Sequence, residues 1–191
     1  NVATLKVVGE EQGLTRERVR QIEKELLNSL AKSAQNEQTF ATARDLILNS
    51  VIEHGGIMAE HRLLVFLNVN SPEETNAVKF LMNLITELSV LQQEEALKPA
   101  WANLTFNKDF LNTFISEILK LFTAHNKPFT EEEFLGQFKE TQFYKENQDA
   151  LPDKVIVNYL HTAGEIERNI FGEYGLGHWS DIKPRDVGDK A

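Results

Sequence analysis

The stretch of residues 4–30 constrains the fold most, because it carries two helix patterns with only a few residues between them. Thr4 and Thr15 each precede a helical pattern and suit N-cap positions. Gly9 supplies the small side chain that two crossing helices need, and Gly13 suits a left-handed residue in a turn. The stretch therefore predicts two helices joined by a tight turn, with the second helix starting directly after Thr15.

The predicted second helix has two different faces. Its apolar face repeats at helical spacing and consists of Val19, Ile22, Leu26, Leu27 and Leu30. The other face collects side chains that can contact base edges or phosphates, namely Thr15, Arg16, Glu17, Arg18, Arg20, Gln21 and Lys24. Arginine can donate two hydrogen bonds to guanine, glutamine can form two hydrogen bonds with adenine, and glutamate can accept one from the amino group of cytosine. A helix-turn-helix presents such side chains in the first turns of its second helix. The alternative interpretation is a solvated helix face with i,i+4 ion pairs.

Residues 4–24 resemble region 4 of the primary sigma factors of bacterial RNA polymerase. Within them, residues 13–23, Gly-Leu-Thr-Arg-Glu-Arg-Val-Arg-Gln-Ile-Glu, resemble that family's recognition-helix signature. In that family the helix reads the upstream promoter hexamer in the major groove, and region 4 also docks on the polymerase. The positions that the resemblance assigns to DNA are Arg16, Glu17, Arg18, Arg20 and Gln21, with Thr15 at the phosphate backbone. The sequence departs from the family at Gln12, where an apolar residue is usual, and it shows no other sigma region.

The charge distribution restricts where nucleic acid can bind. The chain has a net charge of -9, and its first 36 residues contain six basic and five acidic side chains. This segment is therefore +1 and the remainder carries -10, which is the difference between -9 and +1. Because acidic surfaces repel DNA, we expect duplex DNA at the N-terminal segment and protein partners, RNA polymerase among them, elsewhere.

An internal repeat follows the N-terminal segment. Residues 47–64 align with residues 118–135 at a shift of 71, so that His54 corresponds to His125. Further along, Phe80-Leu81 corresponds to Tyr159-Leu160 and Trp101 to Trp179, at a shift of about 79 that the insertion 138–148 explains. A period this long indicates a duplicated domain.

Each copy predicts three helices followed by two short strands. The expected helices are 40–54, 58–67 and 72–88 in the first copy, and 108–125, 130–139 and 152–163 in the second. The expected strands are 90–92, 101–104, 165–171 and 178–182. We therefore predict a mainly α protein with an N-terminal helix-turn-helix and two tandem winged-helix-like domains with short β-hairpin wings. The predicted segments are 1–36, 37–106 and 107–183, with a linker at 184–191. An irregular helical bundle with loops at 92–100 and 172–178 is the competing interpretation.

No pattern predicts catalysis, a cofactor or a small-molecule substrate. The chain has no cysteine, and its five histidines lack metal-ligand spacing. Gly172, Gly175 and Gly177 lack the flanking strand, helix and lysine of a phosphate loop, so we interpret them as a hairpin turn. His54 and His125 end helices and are interpreted as structural. No apolar run approaches the roughly 18 residues that span a bilayer, so we expect cytoplasmic residence without membrane contact.

The C-terminal residues 179–191 resemble the lead-in to a HARE-HTH domain, a winged-helix type found in the polymerase delta subunit and in some restriction and chromatin proteins. Arg168 and the Lys183-Pro-Arg185 run are the basic points near the second predicted wing. Together these observations predict a DNA-binding transcription protein that is not an enzyme. Two alternatives stay open: an acidic interaction scaffold that associates with RNA polymerase, and the recognition module of a restriction or modification system.

Overall fold

The computed structural model describes residues 4–92 and 96–183, which are mainly helical with small antiparallel sheets, as predicted. The helices are α1 Leu5–Gln12, α2 Arg16–Ala34, α3 Gln38–Glu53, α4 Glu60–Phe66, α5 Pro72–Leu84, α6 Lys108–His125, α7 Glu131–Lys139, α8 Gln142–Asn147 and α9 Asp153–Thr162. The strands are β1 Ile57–Ala59, β2 Leu88–Leu91, β3 Ala100–Asn103, β4 Ile166–Arg168 and β5 Tyr174–Leu176. The six helices expected in the two copies are thus present, with ends displaced by up to four residues. The expected insertion forms α8 and a 3-10 turn, Gln148–Ala150.

The chain divides into two compact units. The first unit comprises Asn1–Ile47 with Ser71–Glu87, and the second comprises Leu48–Asn70 with Leu88–Ala191. One boundary therefore falls inside α3 rather than at residue 36 or 106. The segments 1–36, 37–106 and 107–183 stay a prediction about sequence units, while the linker 184–191 and most of the HARE-HTH-like stretch lie outside the described residues.

In the first unit, α1 and α2 are joined by the predicted tight turn. The Thr4 hydroxyl accepts from the Val7 N–H at 3.3 Å, and the Thr15 hydroxyl accepts from the Arg18 N–H at 3.2 Å, so both threonines are N-caps. Gly13 ends α1 in the left-handed conformation with a φ of 65°. A Cβ on Gly9 would lie 2.7 Å from the carbonyl oxygen of Leu14, which explains why this position needs glycine.

The apolar face of α2 is only partly covered. Val19 and Ala31 are buried, but Leu26 and Leu30 are 58% and 47% exposed. Leu26 lies two helical turns beyond Val19 on the same side of the helix. Both α1 and α5 pack on α2, but these two helices leave Leu26 and Leu30 largely exposed.

The two copies pair their strands in the same register. In the first copy β3 lies between β1 and β2, and Trp101 pairs with Met58 on one side and Val90 on the other. In the second copy Tyr174 occupies the equivalent place, with Phe129 and Arg168 as its partners. Met58 to Phe129 is the predicted shift of 71, and Val90 to Arg168 is a shift of 78. The internal duplication is therefore visible in the backbone pairing.

This register corrects the expected strand at 178–182 and the match of Trp101 with Trp179. The returning strand is β5, Tyr174–Leu176, and Trp179 lies in a turn beyond it. The reason is the short connection after β4, where the Asn169 side-chain oxygen accepts from the N–H groups of Phe171 and Glu173. Of the three glycines interpreted as a hairpin turn, only Gly172 lies in that turn.

The second unit holds a large aromatic core. Its buried rings are Phe114, Phe122, Phe129, Phe134, Phe138, Tyr159 and Tyr174. Polar contacts fix α9 against the start of β1: the Asn158 amide donates to the carbonyls of His54 and Ile57, and the Tyr159 hydroxyl donates to Gly55. This frame positions the cleft residues of the second unit that are described below.

Candidate nucleic-acid interface

The residues predicted to contact DNA all lie exposed at the start of α2. They are Thr15, Arg16, Glu17, Arg18, Arg20, Gln21 and Lys24. We call these seven residues the α2 strip. At about 1.5 Å per residue the strip extends roughly 12 Å from Arg16 to Lys24. It contains four cations and one carboxylate, a net charge of +3, in a chain of net charge -9.

Glu17 and Arg20 form a bidentate ion pair within the strip. Arg20 donates from Nε to Glu17 Oε2 at 2.8 Å and from Nη2 to Oε1 at 2.7 Å. These hydrogen bonds are the main reason that the pKa of Glu17 is lowered and the pKa of Arg20 is raised. Glu17 and Arg20 are three residues apart, whereas the interpretation as a solvated helix face expected ion pairs four residues apart. The Arg20 guanidinium is therefore occupied before any base is present.

Arg18 makes a second, longer contact inside the strip. Its Nη1 lies 3.4 Å from Gln21 Oε1, at the upper limit for a hydrogen bond. Thr15 spends its hydroxyl oxygen on the cap of α2. The strip thus presents one tightly bound pair, one loosely bound pair and the cations Arg16 and Lys24.

The basic points expected near the second wing are engaged locally. Lys183 pairs with Glu167 at 3.1 Å, and Arg168 donates from Nε to the Gly172 carbonyl. On α9, Lys154 pairs with Glu53 at 3.1 Å. Arg185 lies outside the described residues. These contacts leave the α2 strip as the cationic surface best suited to a duplex.

Two of the histidines, His54 and His125, make contacts within the fold. His54 donates from Nδ1 to the Ser50 carbonyl at 2.7 Å, and the His125 ring stacks on Phe129 at 3.9 Å between centroids. Among residues 4–92 and 96–183, no group of three or more histidine, aspartate or glutamate side chains could hold a metal ion.

Sequence reasoning missed a cleft in the second unit, which we call the α4–β4 cleft. It has a volume of about 310 Å³ and is lined by His61, Arg62, Val65, Lys98, Leu160, His161, Ile166, Glu167, Arg168 and Tyr174. These residues come from α4, α9, β4, β5 and the segment before β3. No local motif connects them, so no sequence signal could have identified the cleft.

Tyr174, which is buried, and His161, which is half-buried, form one wall of this cleft. The Tyr174 hydroxyl donates to Glu131 Oε2 at 3.1 Å, so its oxygen can accept from His161 Nε2 at 2.9 Å. Burial, with the nearby cations Arg62 and Lys98, lowers the pKa of His161 to about 3. Burial also raises the pKa of Tyr174 to about 12. Both side chains are therefore neutral near pH 7.

The turn between β4 and β5 presents two apolar side chains to solvent. Ile170 is 93% exposed and Phe171 is 81% exposed. Asn169 holds this turn, because its amide also donates to Glu173 Oε2 and to the Asp181 carbonyl. Large apolar side chains that stay exposed on a hydrogen-bonded turn are typical of a surface that contacts a partner.

In comparisons with protein-family models, with curated proteins and with solved structures, nothing matched this chain. Within the described part of the chain, no helix combines the length and the apolar character needed to cross a membrane.

Proposed function

We propose that this chain is a DNA-binding transcription protein that reads duplex DNA in the major groove through the α2 strip. The observation that carries the proposal is the position of the strip. Its seven residues are all exposed, in the first turns of a second helix that follows α1 after a three-residue turn. This is the part of a helix-turn-helix that meets base edges. The resemblance to sigma region 4 implies DNA contacts for the same residues.

The closed Glu17–Arg20 pair is compatible with this function. An exposed ion pair contributes little to stability, so it can open when a guanine or a phosphate offers a better partner. Glu17 is then left to accept from a cytosine amino group. The remaining cations, Arg16, Arg18 and Lys24, supply phosphate or guanine contacts.

We further propose that both copies are winged-helix-like domains that act as scaffold or as a polymerase contact. The order α3-β1-α4-α5-β2-β3 supports this, and so does the matching register around Trp101 and Tyr174. Neither third helix offers a row of cations, since α5 carries Lys79 and α9 carries Lys154. We therefore assign DNA binding to α2 and not to the copies.

Salt-dependent binding to a labelled duplex of mixed sequence tests the DNA role. We expect binding at low salt that weakens as salt increases, because phosphate contacts release counterions. In the double variant Arg16→Ala, Arg20→Ala, the slope of log affinity against log salt should decrease in magnitude by about 2. The matched control Lys120→Ala, Lys145→Ala removes two exposed cations from α6 and α8 and should bind as the parent does. Equal slopes for all three proteins would refute the proposal.

The second candidate function is an RNA polymerase-associated scaffold that does not read DNA. The exposed tip of Ile170 and Phe171 favours it, because large apolar side chains in a held turn can fill a pocket on a partner. Capture of purified core RNA polymerase by the immobilised chain tests it. We expect Ile170→Ser with Phe171→Ser to abolish capture and Leu104→Ser, which alters an exposed leucine elsewhere, to leave it unchanged. Undiminished capture by the tip variant would contradict this candidate.

A further inference from the structure

The α4–β4 cleft concentrates positive charge in an acidic protein. Its lining contains the cations Arg62, Lys98 and Arg168 and the single carboxylate Glu167, a net charge of +2. Glu167 is already shared, because Lys183 pairs with it at 3.1 Å and Lys98 lies 3.8 Å from it. Lys98 is mostly buried beside Glu167, Arg62 is half-buried with no carboxylate partner among the described residues, and Arg168 lies exposed at the rim. A cleft with more positive than negative charge, in which a half-buried arginine lacks a carboxylate, suits an anionic ligand.

The donors of the three cations are mostly unused. No hydrogen bond or ion pair joins the Arg62 guanidinium to another residue of the described chain, although Arg62 is half-buried. Lys98 donates to the Ile166 carbonyl at 2.6 Å, and its side chain is only 19% exposed. Arg168 uses Nε on the Gly172 carbonyl and has no carboxylate partner among the described residues. Each of the three can still donate to a ligand.

The three cations approach from separate elements. Arg62 lies on α4, Lys98 precedes β3, and Arg168 ends β4. Three cations lining one cleft suit an anion with three free oxygens, which a phosphate monoester has. A carboxylate or a phosphodiester has two. Arginine binds phosphate through two donors and lysine as a point charge.

We propose that the α4–β4 cleft binds the terminal phosphate of a small phosphorylated molecule through Arg62, Lys98 and Arg168. The volume of about 310 Å³ lies at the lower end of the range for small-molecule sites. Tyr174 and His161 line the same cleft, and because their donors are engaged with Glu131 and Tyr174, they can only accept hydrogen bonds from the rest of the ligand. This site is independent of the α2 strip.

Isothermal titration calorimetry of the whole chain with four probes tests the proposal. The probes are inorganic phosphate, adenosine 5′-monophosphate, adenosine 3′,5′-cyclic monophosphate and adenosine. We expect saturable 1:1 binding of inorganic phosphate and of the 5′-monophosphate. The cyclic diester should bind at least about tenfold more weakly because it lacks the third free oxygen, and adenosine should not bind. Equal affinity for the monoester and the cyclic diester would contradict the assignment of a terminal phosphate.

The variants locate the site. Arg62→Gln should weaken binding of the 5′-monophosphate by about tenfold or more, since it removes a charged donor that no described residue uses. Arg168→Gln should act in the same direction, and circular dichroism confirms that each variant is folded. Lys120→Gln removes one exposed cation on α6 and should bind as the parent does. No saturable binding to the folded parent, or unchanged binding by both arginine variants, would overturn the proposal.

Discussion

The ion pair between Arg20 and Glu17 reduces the number of hydrogen-bond donors that the α2 strip has free for a ligand. The bidentate pair occupies the guanidinium that a base would need, and it keeps the carboxylate ionised at the centre of a cationic strip. The residue types could be predicted from sequence, but their mutual engagement depends on rotamers that no spacing rule specifies. If the strip binds DNA as proposed, the DNA must displace this ion pair.

The substitution Glu17→Gln measures this competition. It removes one negative charge beside the phosphates and releases Arg20, so we expect tighter binding to every duplex and a steeper salt dependence by about one unit. Discrimination should decrease, since Glu17 is the group assigned to cytosine. Fluorescence anisotropy with a preferred duplex and a shuffled duplex reports both quantities. Weaker binding to both duplexes would show that Glu17 does not oppose the DNA backbone.

His161 gives the second unit a defined dependence on pH. Its pKa is about 3 in the folded chain, mainly through burial, and an unfolded histidine has a pKa of about 6.5. The unfolded state therefore binds the extra proton between these values, and stability decreases as the pH falls from about 6.5 towards 3. The charged groups that face this imidazole are Arg62, Lys98 and Arg168, with His61 beside them.

We expect His161→Gln to weaken this pH dependence. Glutamine can keep a donor towards Tyr174 but cannot take up the proton. Between pH 6 and pH 4 the free energy of unfolding should fall less steeply in the variant, by up to about 1.4 kcal/mol per pH unit. Urea unfolding followed by tryptophan fluorescence measures it, because Trp101 and Trp179 both belong to the second unit. Parallel pH profiles for parent and variant would contradict the assignment.

Among the helices of the first unit, the cover of α2 depends on the two helices that pack on it, α1 and α5. The sequence predicted the caps, the left-handed turn and the close approach at Gly9, since each depends on residues near in sequence. It did not predict that Leu26 and Leu30 stay exposed, because coverage depends on how far a second element extends. An apolar period indicates a helix face but does not reveal whether another element packs on it.

A pair of glycine substitutions tests the helix contacts. Gly9→Ala should destabilise the chain by about 1 kcal/mol or more, because the new Cβ meets the backbone of Leu14, which outweighs the gain in helix propensity. Gly136→Ala on α7 has no atom within 4 Å of the new Cβ and should stabilise by about 0.5–1 kcal/mol. Urea unfolding followed by far-ultraviolet circular dichroism gives both signs. A stabilising Gly9→Ala would refute the tight crossing.

The second hairpin shows where sequence reasoning about strands fails. The strand pair was expected in the right part of the chain, but the return strand is β5 at Tyr174–Leu176 rather than 178–182. The sequence alignment of Trp101 with Trp179 favoured the later position for the return strand. The turn that Asn169 closes reverses the chain earlier, and a three-residue strand has too weak a pattern to reveal it.

In the molecule as a whole, positive charge is concentrated in two places of an acidic chain. The α2 strip carries +3, and the α4–β4 cleft gathers three cations from distant segments. The strip could be predicted because its residues are contiguous, whereas the cleft could not, since only tertiary packing brings Arg62, Lys98 and Arg168 together. If the cleft binds phosphate, the chain has a small ligand that its sequence did not predict.

The internal repeat could be predicted because helix ends and apolar positions recur at a shift that grows from 71 to about 79. The similar strand pairing around Trp101 and Tyr174 is consistent with it. The division into two compact units was not predictable, because one boundary falls within the continuous helix α3. A helix that is unbroken in sequence gives no signal of where its packing partners change.

Selection from a library of random DNA duplexes shows whether the α2 strip reads sequence. We expect the parent chain and the Lys120→Ala, Lys145→Ala control to enrich the same short motif with guanine contacts. The Arg16→Ala, Arg20→Ala variant should enrich none. If the parent chain enriches no motif, or the arginine variant enriches the same motif, the α2 strip does not read DNA sequence.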